Sequence, residues 1–176
     1  MRVIAGEFRS RRLKSIPGVE TRPTPDRLRE TLFDILGPGI EGAVFLDAYA
    51  GTGAVGIEAL SRGAARAIFL ERSKAVAMVI RENLASLGLE GRATVVLTRT
   101  LASIAQHLAD LVFLDPPYDL ESEYAAVLKL LSEHPPRLAI AQHSVRFSLA
   151  EGYGALRRTR IVKQGDNALS FYSAGA

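Results

Sequence analysis

The sequence contains no cysteine and only three histidines, His107, His134 and His143, which stand far apart. Without thiols, disulfides, thiolate zinc sites and a cysteine nucleophile are excluded together, and the histidines lack metal-ligand spacing. Chemistry without a metal is therefore expected, with the histidines as surface or loop residues. Long apolar runs are missing too. None reaches the roughly 18 to 20 residues of a membrane-crossing helix, and the opening Met-Arg-Val-Ile-Ala-Gly-Glu has no extended apolar stretch of a leader. A cytoplasmic protein with no membrane partner is the expectation. What is present is globular: 48% hydrophobic and 23% charged residues, with a mean hydropathy of +0.12, supply enough apolar surface to offset chain entropy. A length of 176 residues suits one domain.

The net charge of +3 conceals an asymmetry, because residues 1–29 hold eight Lys/Arg against three Asp/Glu, a net of +5, while the remainder sums to −2. Positive charge gathered in one segment suits a polyanion, since neutralising phosphates releases condensed counterions. The bland alternative is a solvated, solubilising tail. Arg2-Val-Ile-Ala-Gly-Glu-Phe-Arg-Ser-Arg-Arg-Leu-Lys is too rich in β-branched and alternating residues for a low-complexity tail, and Gly6 offers a bend, so a short basic β-hairpin is expected. The organisation read from this is a basic arm, 1–22, running without a Ser/Gly linker into the domain, 23–176.

Thr24-Pro25-Asp26-Arg27 reads as an N-cap followed by proline at the first helical position. Leu28, Leu32, Ile35 and Leu36 form the apolar stripe of that helix, and Gly37-Pro38-Gly39 ends it. From Ala43 onward, short apolar runs alternate with helical patterns, the signature of βαβ units and a parallel sheet. Strands are predicted over 43–48, 66–71, 93–97, 110–115 and 137–142. A helix opened by Ser73 and closed by Gly88 carries Val76, Ile80, Leu84 and Leu87; another carries Tyr124, Val127, Leu128 and Leu131. Around Gly165-Asp166-Asn167 two strand-like stretches predict a terminal antiparallel hairpin.

Phe45-Leu46-Asp47-Ala48-Tyr49-Ala50-Gly51-Thr52-Gly53-Ala54-Val55-Gly56 is a strand running into a glycine-rich turn and a helix. Glycines there let a cofactor lie against the main chain at the strand's C-terminal edge. The turn satisfies G-x-G-x-x-G, and Glu71 follows at the end of the second strand, where a carboxylate can accept hydrogen bonds from vicinal ribose hydroxyls. This motif alone leaves a nicotinamide oxidoreductase open. The second motif separates the readings. Leu111-Val112-Phe113-Leu114-Asp115-Pro116-Pro117-Tyr118 ends the fourth strand, at the edge where open α/β sheets bind ligands. Two prolines fix φ and remove two N–H donors, leaving the Pro116 carbonyl and the Asp115 carboxylate as rigid acceptors for an amino group. Tyr118 offers a flat face on which a base can stack, worth about 1 to 3 kcal/mol. No Ser-Tyr-Lys or histidine dyad suited to hydride transfer is evident.

Asp-Pro-Pro-Tyr resembles the [Asn/Asp]-Pro-Pro-[Tyr/Phe/Trp] signature of amino-directed methyltransferases. More narrowly, three stretches resemble the bacterial 16S ribosomal RNA guanine-N2 methyltransferase family, whose name cites guanine 966. They are Arg2-Val-Ile-Ala-Gly through Arg12-Leu13-Lys14, Thr21-Arg22-Pro23-Thr24-Pro25-Asp26-Arg27 through Leu32-Phe33-Asp34-Ile35-Leu36, and Ala50-Gly51-Thr52-Gly53 through Gly56-Ile57-Glu58-Ala59-Leu60-Ser61-Arg62-Gly63-Ala64. The resemblance covers nearly the whole chain, and Glu58 to Ala64 is its most specific part. It implies an α/β, Rossmann-like class I fold dependent on S-adenosylmethionine: a mostly parallel seven-stranded sheet with a C-terminal antiparallel hairpin and a basic N-terminal β-hairpin arm. Three departures stand out. Tyr49 replaces a common Phe, Thr98-Arg99-Thr100 replaces a segment that often places an Asp near adenine, and Ala141-Gln142-His143 ends the fifth strand where an acid is expected.

The activity implied is methyl transfer to N2 of a guanine in 16S ribosomal RNA, within a 30S subunit or an assembly intermediate, by a monomer. Asp115, Pro116, Pro117 and Tyr118 are the catalytic candidates. Arg22, Thr24, Asp47, Tyr49, Ala50, Gly51, Gly53, Glu71, Arg72, Thr98, Thr100 and Asp115 are the candidates for the cofactor, with a backbone group or a threonine hydroxyl taking the adenine contact. Arg2, Arg9, Arg11, Arg12, Lys14 and Arg27 are the candidates for RNA phosphates. Helix capping and surface salt bridges are the alternatives for Arg22, Thr24 and Arg27. The residues also leave open an adenine-N6 or protein-glutamine methyltransferase and a non-catalytic RNA-binding module.

Overall fold

The apolar runs from Ala43 onward pair into one sheet. The computed structural model describes residues 1–18 and 24–175. Its strands are β1 (Val44–Asp47), β2 (Arg66–Glu71), β3 (Ala93–Leu97), β4 (Leu111–Leu114), β5 (Leu138–Ser144), β6 (Gly152–Tyr153), β7 (Leu156–Gln164) and β8 (Asn167–Ala174). They lie in the order β3-β2-β1-β4-β5-β8-β7-β6. The first five are parallel and the last three antiparallel, so every predicted strand is present and the terminal hairpin is β7–β8. The sheet has eight strands rather than seven, because Gly152 and Tyr153 add a two-residue edge against Arg157 and Leu156.

Within the sheet the chain enters at β1, steps outward to β3, then returns to β4 on the other side of β1. The order therefore reverses between β1 and β4, where open α/β sheets leave a crevice at the strands' C-terminal ends. On one face, α1 (Asp26–Leu36), α2 (Ala54–Ser61) and α3 (Lys74–Ser86) cover Phe45, Phe69, Phe113, Ile140 and Phe171. On the other, α5 (Glu123–Glu133), with the short α4 (Thr100–Ser103) beside it, covers Leu46, Val112, Leu114 and Tyr172. Alternation along each strand assigns the face, and that decides which side chains reach the crevice.

Two helix boundaries are informative. Ser73 caps α3 by accepting from Val76 N, and Gly88 follows the helix with φ 68°, as predicted. For α1 the cap is Pro25 and not Thr24, and no side chain caps it. The Thr24 hydroxyl instead donates to Asp115 Oδ2 at 3.5 Å.

The basic arm folds back on itself as a minimal antiparallel hairpin: a single bridge, Arg2 with Arg12, alongside the bonds Val3 N to Arg11 O, Ser10 N to Val3 O and Leu13 N to Met1 O. Four further backbone donors are taken by α2. Ile4 N and Ala5 N donate to the Glu58 carboxylate at 2.8 and 3.0 Å, and Phe8 N and Glu7 N donate to Ser61 Oγ and Ser61 O. Gly6, with φ 83°, lies so close that an added Cβ would meet Ser61 O at 2.0 Å. Val3 and Leu13 are buried in the core, and Asn83 of α3 brackets Lys14 by accepting from its N–H and donating to its carbonyl.

Candidate active site

β1 ends at Asp47, and the chain then turns through Gly51 (φ 54°) and Gly53 (φ 82°) into α2. Both values lie in the left-handed region that glycine adopts without a Cβ clash. The turn is held from two sides: Ala50 N donates to Leu70 O, and Gly51 N donates to Glu71 Oε2 at 3.0 Å. Glu71 also accepts from Ser73 N through Oε1 at 2.8 Å, so this carboxylate joins the glycine turn to the cap of α3. Each of its oxygens keeps a lone pair for a further donor.

β4 lies directly against β1, and its following residues are Asp115-Pro116-Pro117-Tyr118. The glycine turn and this tetrapeptide thus occupy the same sheet edge, on neighbouring parallel strands. They line one cavity of about 550 Å³, within the roughly 300 to 1,000 Å³ of small-molecule sites. Tyr118 stands at its rim with 64% of its surface exposed, a ring open to solvent.

Of the cofactor candidates, Thr24, Asp47, Tyr49, Ala50, Gly51, Glu71, Arg72, Thr100 and Asp115 line this cavity. Gly53 does not: it caps α2 and packs its Cα side toward Ile80. Thr98 does not either; its neighbour Arg99 does. The Thr100 hydroxyl donates to Ala48 O at 2.5 Å, fastening the segment after β3 to the one after β1. Tyr49 donates to Glu123 Oε2 at 2.6 Å, a partnership that a phenylalanine could not make. Arg22 lies outside the described residues. Among the RNA candidates, Arg2, Arg9, Arg11, Arg12, Lys14 and Arg27 are all exposed and none lines the cavity. The arm nevertheless starts at its mouth, where Met1 forms part of the wall.

The electrostatics of the wall are acidic. Asp47 is 1% exposed, and its carboxyl is raised to about 7 by burial, opposed by the hydrogen bond from Gly56 N, and raised further by the nearby charges of Asp115 and Glu71. Such a cluster favours a cationic guest. Glu71, Asp47 and the glycine backbone therefore fit the ribose, sulfonium and ammonium groups of S-adenosylmethionine.

Two residues on this wall escaped the reading of the sequence. His143, expected at the surface or in a loop, is 6% exposed on β5; its place inside a strand, edge-on to Tyr124, is the reason. One ring nitrogen meets Ser144 O at 2.9 Å, which can only accept, so Nδ1 carries the proton and Nε2 accepts from Ser170 Oγ at 2.8 Å. Burial lowers its pKa, favouring the neutral ring. Gln142, whose role the sequence left open, is the other.

A family model described as Conserved hypothetical protein 95 matches residues 1–173. The chain belongs to this family. Among relatives of this Conserved hypothetical protein 95 member, "Putative rRNA methyltransferase YlbH" of Bacillus subtilis (strain 168) is 37% identical, over 98% of this chain and 98% of that protein. "Ribosomal RNA small subunit methyltransferase D" of Escherichia coli (strain K12) is 44% identical over 67% of this chain and 60% of that protein. Among solved structures, "Putative methyltransferase yhhF" from Escherichia coli superposes with a TM-score of 0.86 at 32% identity, covering 100% of this chain and 98% of that one. An RNA methyltransferase from Salinibacter ruber, solved with S-adenosyl-L-homocysteine, shares the fold at 16% identity and a TM-score of 0.68, over 86% and 93% of the two chains. The class I methyltransferase fold implied by the resemblance is thus the fold of this Conserved hypothetical protein 95 member.

Proposed function

We propose that this protein transfers the methyl group of S-adenosylmethionine to the exocyclic N2 amine of a guanine in 16S ribosomal RNA, guanine 966 by family resemblance. The observation that carries the reading is the sharing of one cavity by Asp115-Pro116 and the glycine turn, at the ends of adjacent strands. Relatives named for ribosomal RNA methylation supply the macromolecule. The substrate is the RNA within a 30S subunit or an assembly intermediate, met by a monomer in the cytoplasm.

When bound, S-adenosylmethionine supplies an electrophilic sulfonium methyl group. Glu71 accepts hydrogen bonds from its ribose hydroxyls; Thr24, Asp47, Tyr49, Ala50, Gly51, Arg72 and Thr100 complete its surroundings. A guanine amine is a poor nucleophile because its lone pair is delocalised into the ring, so orientation does much of the work. Asp115 and the Pro116 carbonyl hold the two N–H groups and turn the lone pair toward the methyl carbon. The same acceptors stabilise positive charge as it develops on nitrogen, the proton the nitrogen then loses leaves along its hydrogen bond to the Asp115 carboxylate, and Pro117 stiffens the loop. Tyr118 stacks on the base once it has left its helix, a step costing a few kcal/mol. The arm arginines, Lys14 and Arg27 hold phosphates.

The test is to incubate the protein and S-adenosylmethionine with small subunits from cells lacking it, then digest the RNA and identify nucleosides by mass spectrometry. One new N2-methylguanosine is expected. An N6-methyladenosine, or no methylated nucleoside, refutes the proposal.

A further inference from the structure

Gln142 stands beside the catalytic tetrapeptide. The β4–β5 register runs from Leu111 with Leu138 to Leu114 with Ala141, so one further step sets Asp115 next to Gln142. Both side chains leave the same sheet face, since Phe113 and Ile140, two residues earlier on each strand, belong to the core beneath α1 to α3. Gln142 lines the cavity and is 5% exposed. Its Oε1 is sealed from solvent and accepts no hydrogen bond. Among the described residues, the other buried side-chain polar atoms in that state belong to Arg29, which does not line the cavity.

An amide carbonyl removed from water without a donor weakens folding, and unpaired groups of this kind are rare. Gln142 lines the cavity, so a donor that enters it can supply the missing partner. The Asp115 neighbour suggests which. On the edge of guanine the N2 amine adjoins the N1–H donor, which adjoins the O6 acceptor. A primary amide offers one acceptor and a two-proton donor, the complement of N1–H and O6. Rotation about the last side-chain torsion is soft, so the amide can turn to meet the base.

Resting on the guanine-N2 reading above, we infer that Gln142 is the residue that reads the guanine ring. Its Oε1 accepts N1–H and its Nε2 donates to O6, while Asp115 holds the adjacent amine. The pair selects a base that carries an amine at position 2 together with a hydrogen at N1.

The experiment uses reconstituted small subunits in which the target guanine is kept or replaced, by splinted ligation, with 2-aminopurine. That base retains the reacting amine and lacks both N1–H and O6. Wild-type protein should prefer guanine by roughly fiftyfold or more in kcat/KM, since sites built to hydrogen-bond a group reject analogues lacking it. Gln142→Leu should lose about tenfold to a hundredfold on guanine and keep its 2-aminopurine rate within about threefold, so that the preference collapses. S-adenosylhomocysteine affinity, by calorimetry, should stay within about twofold. Gln142→Glu retains an acceptor for N1–H and loses the donor to O6, so an intermediate preference is expected; it decides the matter if the leucine variant does not fold. An unchanged ratio in these variants, or a wild type that methylates both bases equally, overturns the role of Gln142 alone. A wild type that leaves guanine subunits unmethylated overturns the reaction itself, and this inference with it.

Discussion

Asp47 concentrates the residue-scale physics of the site. Burial and the charges of Asp115 and Glu71 raise its carboxyl to about 7, so near neutral pH it exchanges a proton. Between about pH 4 and 7 the folded chain holds more protons there than the unfolded chain, so this contribution to stability is full below that window and is lost as pH rises through 7. A cationic cofactor favours the carboxylate, so its binding expels the proton and tightens as pH rises through 7. Asp47→Asn should flatten both dependences, checked by thermal melts and by calorimetry at several pH values; slopes equal to wild type would remove Asp47 from the linkage. Asp115→Ala should abolish methyl transfer while leaving cofactor affinity within a few-fold. Nearly full activity would remove Asp115 from the chemistry. At this scale the sequence was partly legible. Asp115, Glu71 and the glycines sit in motifs whose spacing betrays them, whereas Gln142 and His143 reach the cavity through a strand register and burial that no local pattern encodes.

Among the elements, α2 has a double task. One end receives the glycine turn, and the run Glu58 to Ser61 fastens the arm. Glu58 is 0% exposed; its carboxylate takes two arm N–H groups and the Arg62 Nε at 2.8 Å. Arg62 in turn lies 5.1 Å from the Phe33 ring centroid and bridges to Asp34, tying α2 to α1. This accounts for Glu58 to Ala64 being the most specific part of the resemblance: these residues join three segments. Glu58→Ala leaves buried donors and Arg62 without their acceptor, and a loss of about 3 to 5 kcal/mol is expected in denaturant unfolding. Gly6→Ala should release the arm at a smaller cost, about 1 to 3 kcal/mol, with cofactor affinity unchanged. A loss under about 0.5 kcal/mol for both would show that the arm does not depend on α2. The strands were legible because buried parallel strands read as unbroken apolar runs. The arm does fold back antiparallel, Arg2 against Arg12, but alternation reports only a preference for extended chain and says nothing of donors that face a helix carboxylate, as those of Ile4 and Ala5 do.

For the whole molecule, the reversal between β1 and β4 brings the glycine turn and Asp115 together, though the chain separates them by more than sixty residues. Alternating strand and helix patterns foretold that convergence, since ligand sites in such sheets lie where the order reverses. Their face assignment foretold nothing of what the surface meets. The arm starts at the cavity wall with Met1 and carries Arg2, Arg9, Arg11, Arg12 and Lys14 on its exposed side. Not all of this charge is equally available. Lys14 pairs with Glu82 at 3.0 Å, and Arg11 donates to Ser86 O, which orients it. Each phosphate that the protein no longer neutralises lowers the slope of log affinity against log salt by about 0.7 to 0.9. Changing Arg9, Arg11 and Arg12 together to Ala should therefore reduce that slope by about 2 to 3 in anisotropy titrations with small-subunit RNA between about 50 and 200 mM salt. Folding and S-adenosylhomocysteine binding should be unaffected, since none of the three lines the cavity or enters the core. If the slope stays that of wild type while the variant is folded, the arm is a solvated appendage and the RNA must be gripped elsewhere on the molecule.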